Sequence, residues 1–414
     1  MFGISTFSVK AAMLFLWAIG VTFFYLTLAQ LNTRNKWLPF LITAAFICAP
    51  AWFNWALKAR GGYITASTCS FVILFLLFHK KLADNKIVYA SIGILLSLTY
   101  QSHIIFILLP LSFIFYRYLD SKDIRRISYI VIPFVILNVL FYFYKKHLPD
   151  TYHMGINNPF KRLERSFSQL PSFTYRALHG NYEFDETGIP GFFQRLFSYE
   201  FIILICSLLG IGTYRFFSEK YYLLRFTKKH LLFCCGVLSV GLFLASTFFS
   251  FDIQPRYLLG IVGATLFTLF LFLDERLLKR VHYAALLLLI ITGYLATLTF
   301  RQIDNMGSNV QSAKQVLNYL NQNDVHYVFT ENDMLGWQLM FYSNEQTIAR
   351  PPARPGRYAP YTKLVNEVYL SGKKTAAIGF LPTSAYYHSS LKRFKGPFVH
   401  ILLPGEPIDK EFEF

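Results

Sequence analysis

Apolar runs separated by short polar loops fill residues 1–300, and past Phe300 the pattern changes to ordinary polarity. Grouped by length, the runs predict about ten membrane spans: Phe7 to Gln30, Trp37 to Ala56, Tyr63 to Phe78, Ile87 to Gln101, His103 to Tyr116, Ser128 to Tyr144, Tyr199 to Phe217, His230 to Phe249, Arg256 to Leu273 and His282 to Phe300. Short basic loops fall between alternate pairs of spans. They carry Arg34 and Lys36; Lys80, Lys81 and Lys86; Arg117, Lys122, Arg125 and Arg126; Arg215, Lys220, Arg225, Lys228 and Lys229; and Arg276, Lys279 and Arg280. The positive-inside rule places all five loops in the cytoplasm. The amino terminus, the long loop 145–198 and everything after Phe300 are then expected outside. Met1 to Ser5 hold no signal peptide, so nothing visible sends that end across the bilayer, and the simplest expectation is that a preceding segment is missing.

Between Lys86 and Arg117 each apolar half is about 14 residues, or roughly 21 Å of helix, against a hydrocarbon core of about 30 Å. A short hairpin or broken helix fits better than two ordinary spans. One long span would put the flanking basic loops on opposite sides. The apex, Gln101, Ser102 and His103, is a polar cluster at the outer face, which either lines a cavity or forms a simple interfacial turn.

Residues 301–414 read as a separate soluble domain. Val310, Ala313, Leu317 and Leu320 recur at helical spacing, Val325 to Thr330 is a short strand, and Asn332 caps a helix through Tyr342. A strand over Gln346 to Arg350, the Pro-rich turn Arg350 to Pro360, a helix from Tyr361 to Leu370, the run Thr375 to Phe380 and a last strand near Phe398 to Leu403 complete the order. This predicts a small α/β sandwich with a largely parallel sheet. No glycine-rich phosphate loop follows its first strand, which argues against a nucleotide site.

Composition agrees with a polytopic membrane protein: 54% of the residues are hydrophobic, 44 are Phe, and the mean hydropathy is +0.38. The formal charge of +17 would suit nucleic acid, but its cations sit mostly in the cytoplasmic loops, where orientation and anionic membrane lipid account for them. Nucleic acid is not an expected partner. All five cysteines, Cys48, Cys69, Cys206, Cys234 and Cys235, lie in or beside apolar runs, which excludes an extracytoplasmic disulfide, and no Cys/His zinc spacing occurs.

Candidate chemistry rests on charged outer residues that the charge rule does not explain. Lys58 and Arg60, with Trp52 and Asn54, stand in the stretch Pro50 to Tyr63, where Gly61 and Gly62 free the backbone for a close approach. They suit a lipid phosphate, Arg as a fork and Lys as a point charge; snorkelling to headgroups is the plainer reading. Asp252 and Arg256, beside Tyr257, stand at the mouth of a span, where the Arg reaches a phosphate or pairs with Asp252. Glu183, Asp185 and Glu186 form the dense outer acidic patch. They could hold a sugar, an ammonium group or a divalent metal through oxygen ligands, but their spacing matches no metal signature, and a solvated loop is the plainer reading. No cofactor is certain.

Four features resemble the GT-C superfamily of polytopic glycosyltransferases. They are the order of spans, the Pro50 to Tyr63 stretch, the broken Gly93 to Pro110 segment and the Arg256-Tyr257 pair opening a late span. The likeness is strongest to bacterial relatives of the protein O-mannosyltransferases and of the lipid A aminoarabinose transferase. It covers roughly Met1 to Phe300, and the tail is similar to the small extracytoplasmic α/β domain that many members carry. The resemblance implies a GT-C-like helical membrane domain in the bacterial inner membrane. It also implies transfer of a hexosyl or pentosyl group from a polyprenyl-phosphate-linked donor to an acceptor on the outer side. On that pattern Lys58, Arg60 and Arg256 take the donor phosphate, while His103, Asp252 and Tyr257 line the cavity. Trp337, Tyr342, Glu345 and Arg350 contact the acceptor.

Members of this family start with a cytoplasmic end, one span and an outer loop that carries the catalytic carboxylate. Phe2 to Ser5 is similar to the stretch just before their second span, and no acidic residue precedes Asp84. The catalytic residue is therefore unassigned. A late start or a truncated chain, inactive as it stands, accounts for this best; a divergent member using the Glu183 to Glu186 cluster is the third account. Two other classes stay open. A transporter or flippase would call for internal repeats and embedded charge, which are not evident. A polymerase or ligase of O-antigen type would use Arg162, Arg165, Arg176 and Arg195 in the outer loop, against which the α/β tail argues.

Overall fold

The computed structural model describes residues 6–31, 35–56, 62–82, 85–146, 178, 188–218, 228–249, 259–275, 280–298, 306–331, 333–350, 359–379, 392–394 and 397–403. The chain divides into two compact units, Met1–Phe141 with Ile156–Arg301 and Tyr142–Gly155 with Gln302–Phe414.

The first unit is helical: α1 Thr6–Leu31, α2 Trp37–Ile47, α3 Pro50–Trp55, α4 Tyr63–Phe78, α5 Lys86–Ser102, a 3-10 turn Ile104–Ile107, α6 Leu108–Ser121, α7 Ile124–Lys146, α8 Gly188–Ser218, α9 Lys228–Phe249, α10 Leu259–Glu275 and α11 Arg280–Thr297. Among the described residues six helical stretches are long and apolar enough to cross a membrane, Ser8–Leu31, Ile104–Ser121, Ile124–Tyr144, Phe192–Arg215, Lys228–Ser246 and Arg280–Thr297. Trp37–Ile47, Tyr63–Phe78 and Leu259–Leu273 are shorter apolar helices.

Two expectations need correction. The run Trp37 to Ala56 is not one helix, because Ala49, held before Pro50, takes φ −65 and ψ 120 and ends the first piece. A residue preceding proline is pushed out of the helical region, and Pro50 then opens α3 where its missing N–H costs nothing. The second correction concerns α8, which begins at Gly188 rather than Tyr199, so 188–198 is helix rather than loop. Gln194, Arg195 and Glu200 interrupt the apolar run and concealed its start.

The basic loops converge on one end of this unit. Asn35 Nδ2 donates to Tyr283 Oη, which joins the first loop to the last. Leu77, Tyr89, Arg117 and Arg126 line one cleft, joining the second loop to the third. Lys228 Nζ lies 2.7 Å from Asp120. The Arg215 guanidinium covers the rings of Phe233 at 5.0 Å and Phe272 at 5.6 Å. Such convergence requires α5 and α6 to run out and back, as in a hairpin, but the arms are longer than the sequence suggested: α5 has 17 residues, and Ile104–Ser121, with 18, is long and apolar enough to cross a membrane. Both arms pack on α4.

A continuous core links these helices, with Phe24 set 4.8 Å from Phe71 and Phe113 4.9 Å from Phe267. Offset and edge-on aromatic pairs of this kind add about 0.5–1.5 kcal/mol beyond burial.

The second unit comprises α12 Met306–Gln322, β1 Tyr327–Thr330, α13 Asp333–Tyr342, β2 Ile348–Arg350, α14 Ala359–Leu370, β3 Thr375–Gly379, β4 Lys392–Arg393 and β5 Phe398–Leu402. The strand order is β2-β1-β3-β5-β4. The sheet is mixed rather than largely parallel: β1 pairs parallel with β2 and β3, whereas β5 runs antiparallel to β3 and β4. Two-residue β4 is too short to leave a sequence signal. Alternation along β1 sends Val328 to a core shared with Leu317 of α12 and Leu339 of α13, and Phe329 to a core shared with Val365 of α14. The sheet is thus covered on both faces.

Candidate functional site

At the end of the first unit away from the basic loops, the chain makes a tight contact between the start of α4 and the apex of the hairpin. Gly62 caps α4 with φ 70, a left-handed conformation. A Cβ there would lie 2.5 Å from the Ser102 carbonyl oxygen. Glycine alone satisfies both demands. The contact places Tyr63 against His103, ring centroids 4.5 Å apart. His103 itself is extended, with φ −164 and ψ 107, which breaks the helix between α5 and the 3-10 turn.

Phe106 of that turn meets Tyr63, His103 and Trp52 at centroid distances of 6.2, 5.5 and 6.3 Å. Ser70 Oγ lies 3.1 Å from the Phe106 carbonyl oxygen and 2.8 Å from that of Ala66, so α4 supplies a donor to the irregular backbone. Trp52 is 1% exposed, and its indole Nε1 has no hydrogen-bond partner among the described residues. A buried donor left without an acceptor costs about 1–3 kcal/mol. Trp52, Tyr63, His103 and Phe106 therefore form one packed aromatic cluster at this end of the unit.

Two polar features inside the spans were not foreseen from sequence. Gln101 Nε2 donates to Asn138 Oδ1 at 2.5 Å, and Asn138 Nδ2 donates to Ser97 Oγ at 3.1 Å, which ties α7 to the apex. Thr292 Oγ1 lies 2.7 Å from Glu200 Oε2, joining α8 to α11. A lone Asn in the run Ser128 to Tyr144 and a carboxylate beside Tyr199 were the available signals. On the same end, a Cβ at Gly293 would sit 2.7 Å from the Cys48 carbonyl oxygen and 3.1 Å from Phe197, so α11 closes on α2 and α8.

Of the residues singled out in the sequence, Lys58, Arg60, Glu183, Asp185, Glu186, Asp252, Arg256 and Tyr257 lie outside the described residues, as does the proposed cap Asn332. His103 is described, and the fold brings it to Trp52 and Tyr63. The acceptor set divides between two faces of its sheet. Trp337 is exposed on α13, Tyr342 ends that helix at the edge of its core, and Glu345 sits in the following turn with φ 61. Arg350 points to the other face, buried over the Phe329 ring at 5.4 Å. Burial pushes the Tyr342 phenol up and the Arg350 guanidinium down from their usual values. Among the described residues no group of three or more His, Cys, Asp or Glu side chains could hold a metal ion.

No protein-family model matches the chain, and no curated protein matches it. Among solved structures, the crystal structure of ArnT from Cupriavidus metallidurans in the apo state is similar, with a TM-score of 0.57 at 12% identity over 95% of this chain and 83% of that one. At that identity the likeness is one of fold. The chain is an α-helical, multi-pass membrane protein of ArnT-like fold with a small C-terminal sheet.

Proposed function

We propose that the protein is a membrane glycosyltransferase of GT-C type that takes a sugar from a polyprenyl-phosphate donor and passes it to an extracytoplasmic acceptor, a cell-envelope lipid, glycan or protein. The observation that carries this reading is the ArnT-like fold over 95% of the chain. It agrees with the resemblance of the Pro50 to Tyr63 stretch and the broken Gly93 to Pro110 segment. In this reading Lys58, Arg60 and Arg256 hold the donor phosphate, and His103, Asp252 and Tyr257 line the cavity. Lys58 and Arg60 stand four and two residues before Gly62 in the chain.

Residues 301–414 form an extracytoplasmic domain in this reading, and exposed Trp337 is its first candidate for acceptor contact, before Tyr342, Glu345 and Arg350. Anionic phosphate and a cation fork make charge-assisted hydrogen bonds, roughly twice as strong as neutral ones. Transfer also needs a carboxylate to activate the acceptor opposite the leaving phosphate. Within this chain Glu183, Asp185 and Glu186 are the candidates for it.

The test is sugar transfer from a polyprenyl-phosphate donor by the purified chain in lipid. Arg256→Ala is expected to lower transfer by about ten- to a hundredfold, the loss of one charged hydrogen-bond donor to phosphate. His103→Ala is expected to act in the same direction. Full transfer by the Arg256→Ala chain removes that residue from the site, and transfer from a nucleotide sugar alone replaces the donor class.

A further inference from the structure

We propose that the basic end of the helical unit carries a binding site for the phosphate of an anionic phospholipid, independent of the donor site. The ends of α4, α5, α6 and α7 leave a cleft of about 210 Å³, counted with its open mouth. Leu77, Tyr89, Arg117, Tyr118, Ser121 and Arg126 are among its lining residues. Its interior has no room for a water-sized sphere, so a ligand sits at the mouth.

The charges there are arranged for an anion. Asp120 stands 3.8 Å from Nη1 of Arg117 and 2.7 Å from Nζ of Lys228. The Nε–H of Arg117 is buried without a hydrogen-bond partner among the described residues. Asp123 accepts from Arg126 Nε at 3.1 Å and fixes that guanidinium at the start of α7. Lys122 and Arg125 stand in the same turn, and Lys86 covers the Tyr129 ring at 5.6 Å nearby. Among the described residues there, cations therefore outnumber the acids.

Below the guanidinium groups the walls are Ile114, Ile127 and Ile130. Guanidinium and hydroxyl above isoleucine is the profile of a headgroup phosphate above its first acyl carbons. Basic pockets between helices on the cytoplasmic side recognise lipid headgroups by this chemistry. A forked guanidinium takes two phosphate oxygens at once.

The test uses the purified full chain in neutral detergent, with its thermal unfolding midpoint read against added phosphatidylglycerol, phosphatidylcholine or inorganic phosphate. Phosphatidylglycerol is expected to raise the midpoint, and phosphatidylcholine and inorganic phosphate at equal concentration to leave it near its starting value. The double variant Arg117→Gln/Arg126→Gln should need at least tenfold more phosphatidylglycerol for the same rise, while Lys80→Gln/Lys81→Gln, which removes equal charge outside the cleft, should behave as the wild type. If the double variant does not fold, Arg126→Lys is read instead. It keeps the charge and gives up the fork, so weaker binding is again expected. Equal responses to both lipids, a response to inorganic phosphate alone, or unchanged affinity in the folded variant overturns the site.

Discussion

Gly62 carries the geometry of the proposed donor site. Its left-handed φ and the Ser102 carbonyl oxygen, 2.5 Å from where a Cβ would stand, leave no place for a side chain. Alanine in a left-handed conformation costs about 1–2 kcal/mol before the clash is counted. Gly62→Ala is therefore expected to destabilise the protein by about 2 kcal/mol or more. It should also part Tyr63 from His103. The unfolding midpoint of the purified variant checks the first effect, and donor binding checks the second.

The importance of Gly62 was legible as a glycine pair beside two cations. The stack of Tyr63 on His103 was not, because it depends on a contact between residues 40 positions apart along the chain. Trp52 was named in sequence for its company. Its full burial, with an indole donor left over, is a property of the tertiary packing.

Among the elements, α7 is the least enclosed. Val131, Ile132, Val135, Ile136, Val139 and Leu140 are exposed along its 23 residues, as suits a helix facing acyl chains. Among its contacts with α5, beside the Tyr100–Phe134 and Lys86–Tyr129 pairs, are two closer ones. A Cβ at Gly93 would lie 2.2 Å from the Ile130 carbonyl oxygen, so the two backbones touch there, and Asn138 bonds Gln101 and Ser97 farther along. Small residues and buried amides are the usual means of joining helices in lipid.

Gly93→Val is expected to force the pair apart at a cost of about 1–3 kcal/mol. Asn138→Leu should cost about 0.6 kcal/mol and at most about 1.7. The double variant should lose less than the sum, because both changes open one contact. Unfolding of the three variants in a denaturing detergent measures this, and strict additivity would show that the contacts act separately.

Element order followed from hydropathy because the spans are long, mainly apolar runs separated by polar loops. The failures have local causes. Pro50 split a run whose composition never changed, and Gln194, Arg195 and Glu200 broke the apolar pattern of α8 and hid eleven helical residues, 188–198, where Gln194 and Ser198 are buried together with Phe197. In the second unit, periodicity located β1, β2, β3 and β5. It could not tell parallel from antiparallel neighbours, which depends on how the chain returns to the sheet.

At the scale of the molecule, the convergence of five basic loops on one end gives the helical unit a polarity. The aromatic site built on Trp52, Tyr63 and His103 lies at the other end. In the proposed function that end faces outward, as the charge rule expects, and meets the lipid-linked sugar there.

The most direct measurement of this reading is retention of a polyprenyl phosphate by the purified chain, followed by mass spectrometry under non-denaturing conditions. Wild type should retain the carrier, and the triple variant Lys58→Ala/Arg60→Ala/Arg256→Ala should lose it by about a hundredfold or more, even where transfer itself is silent. Equal retention by the two proteins, or none by either, would contradict the proposal that this chain handles a polyprenyl-phosphate donor.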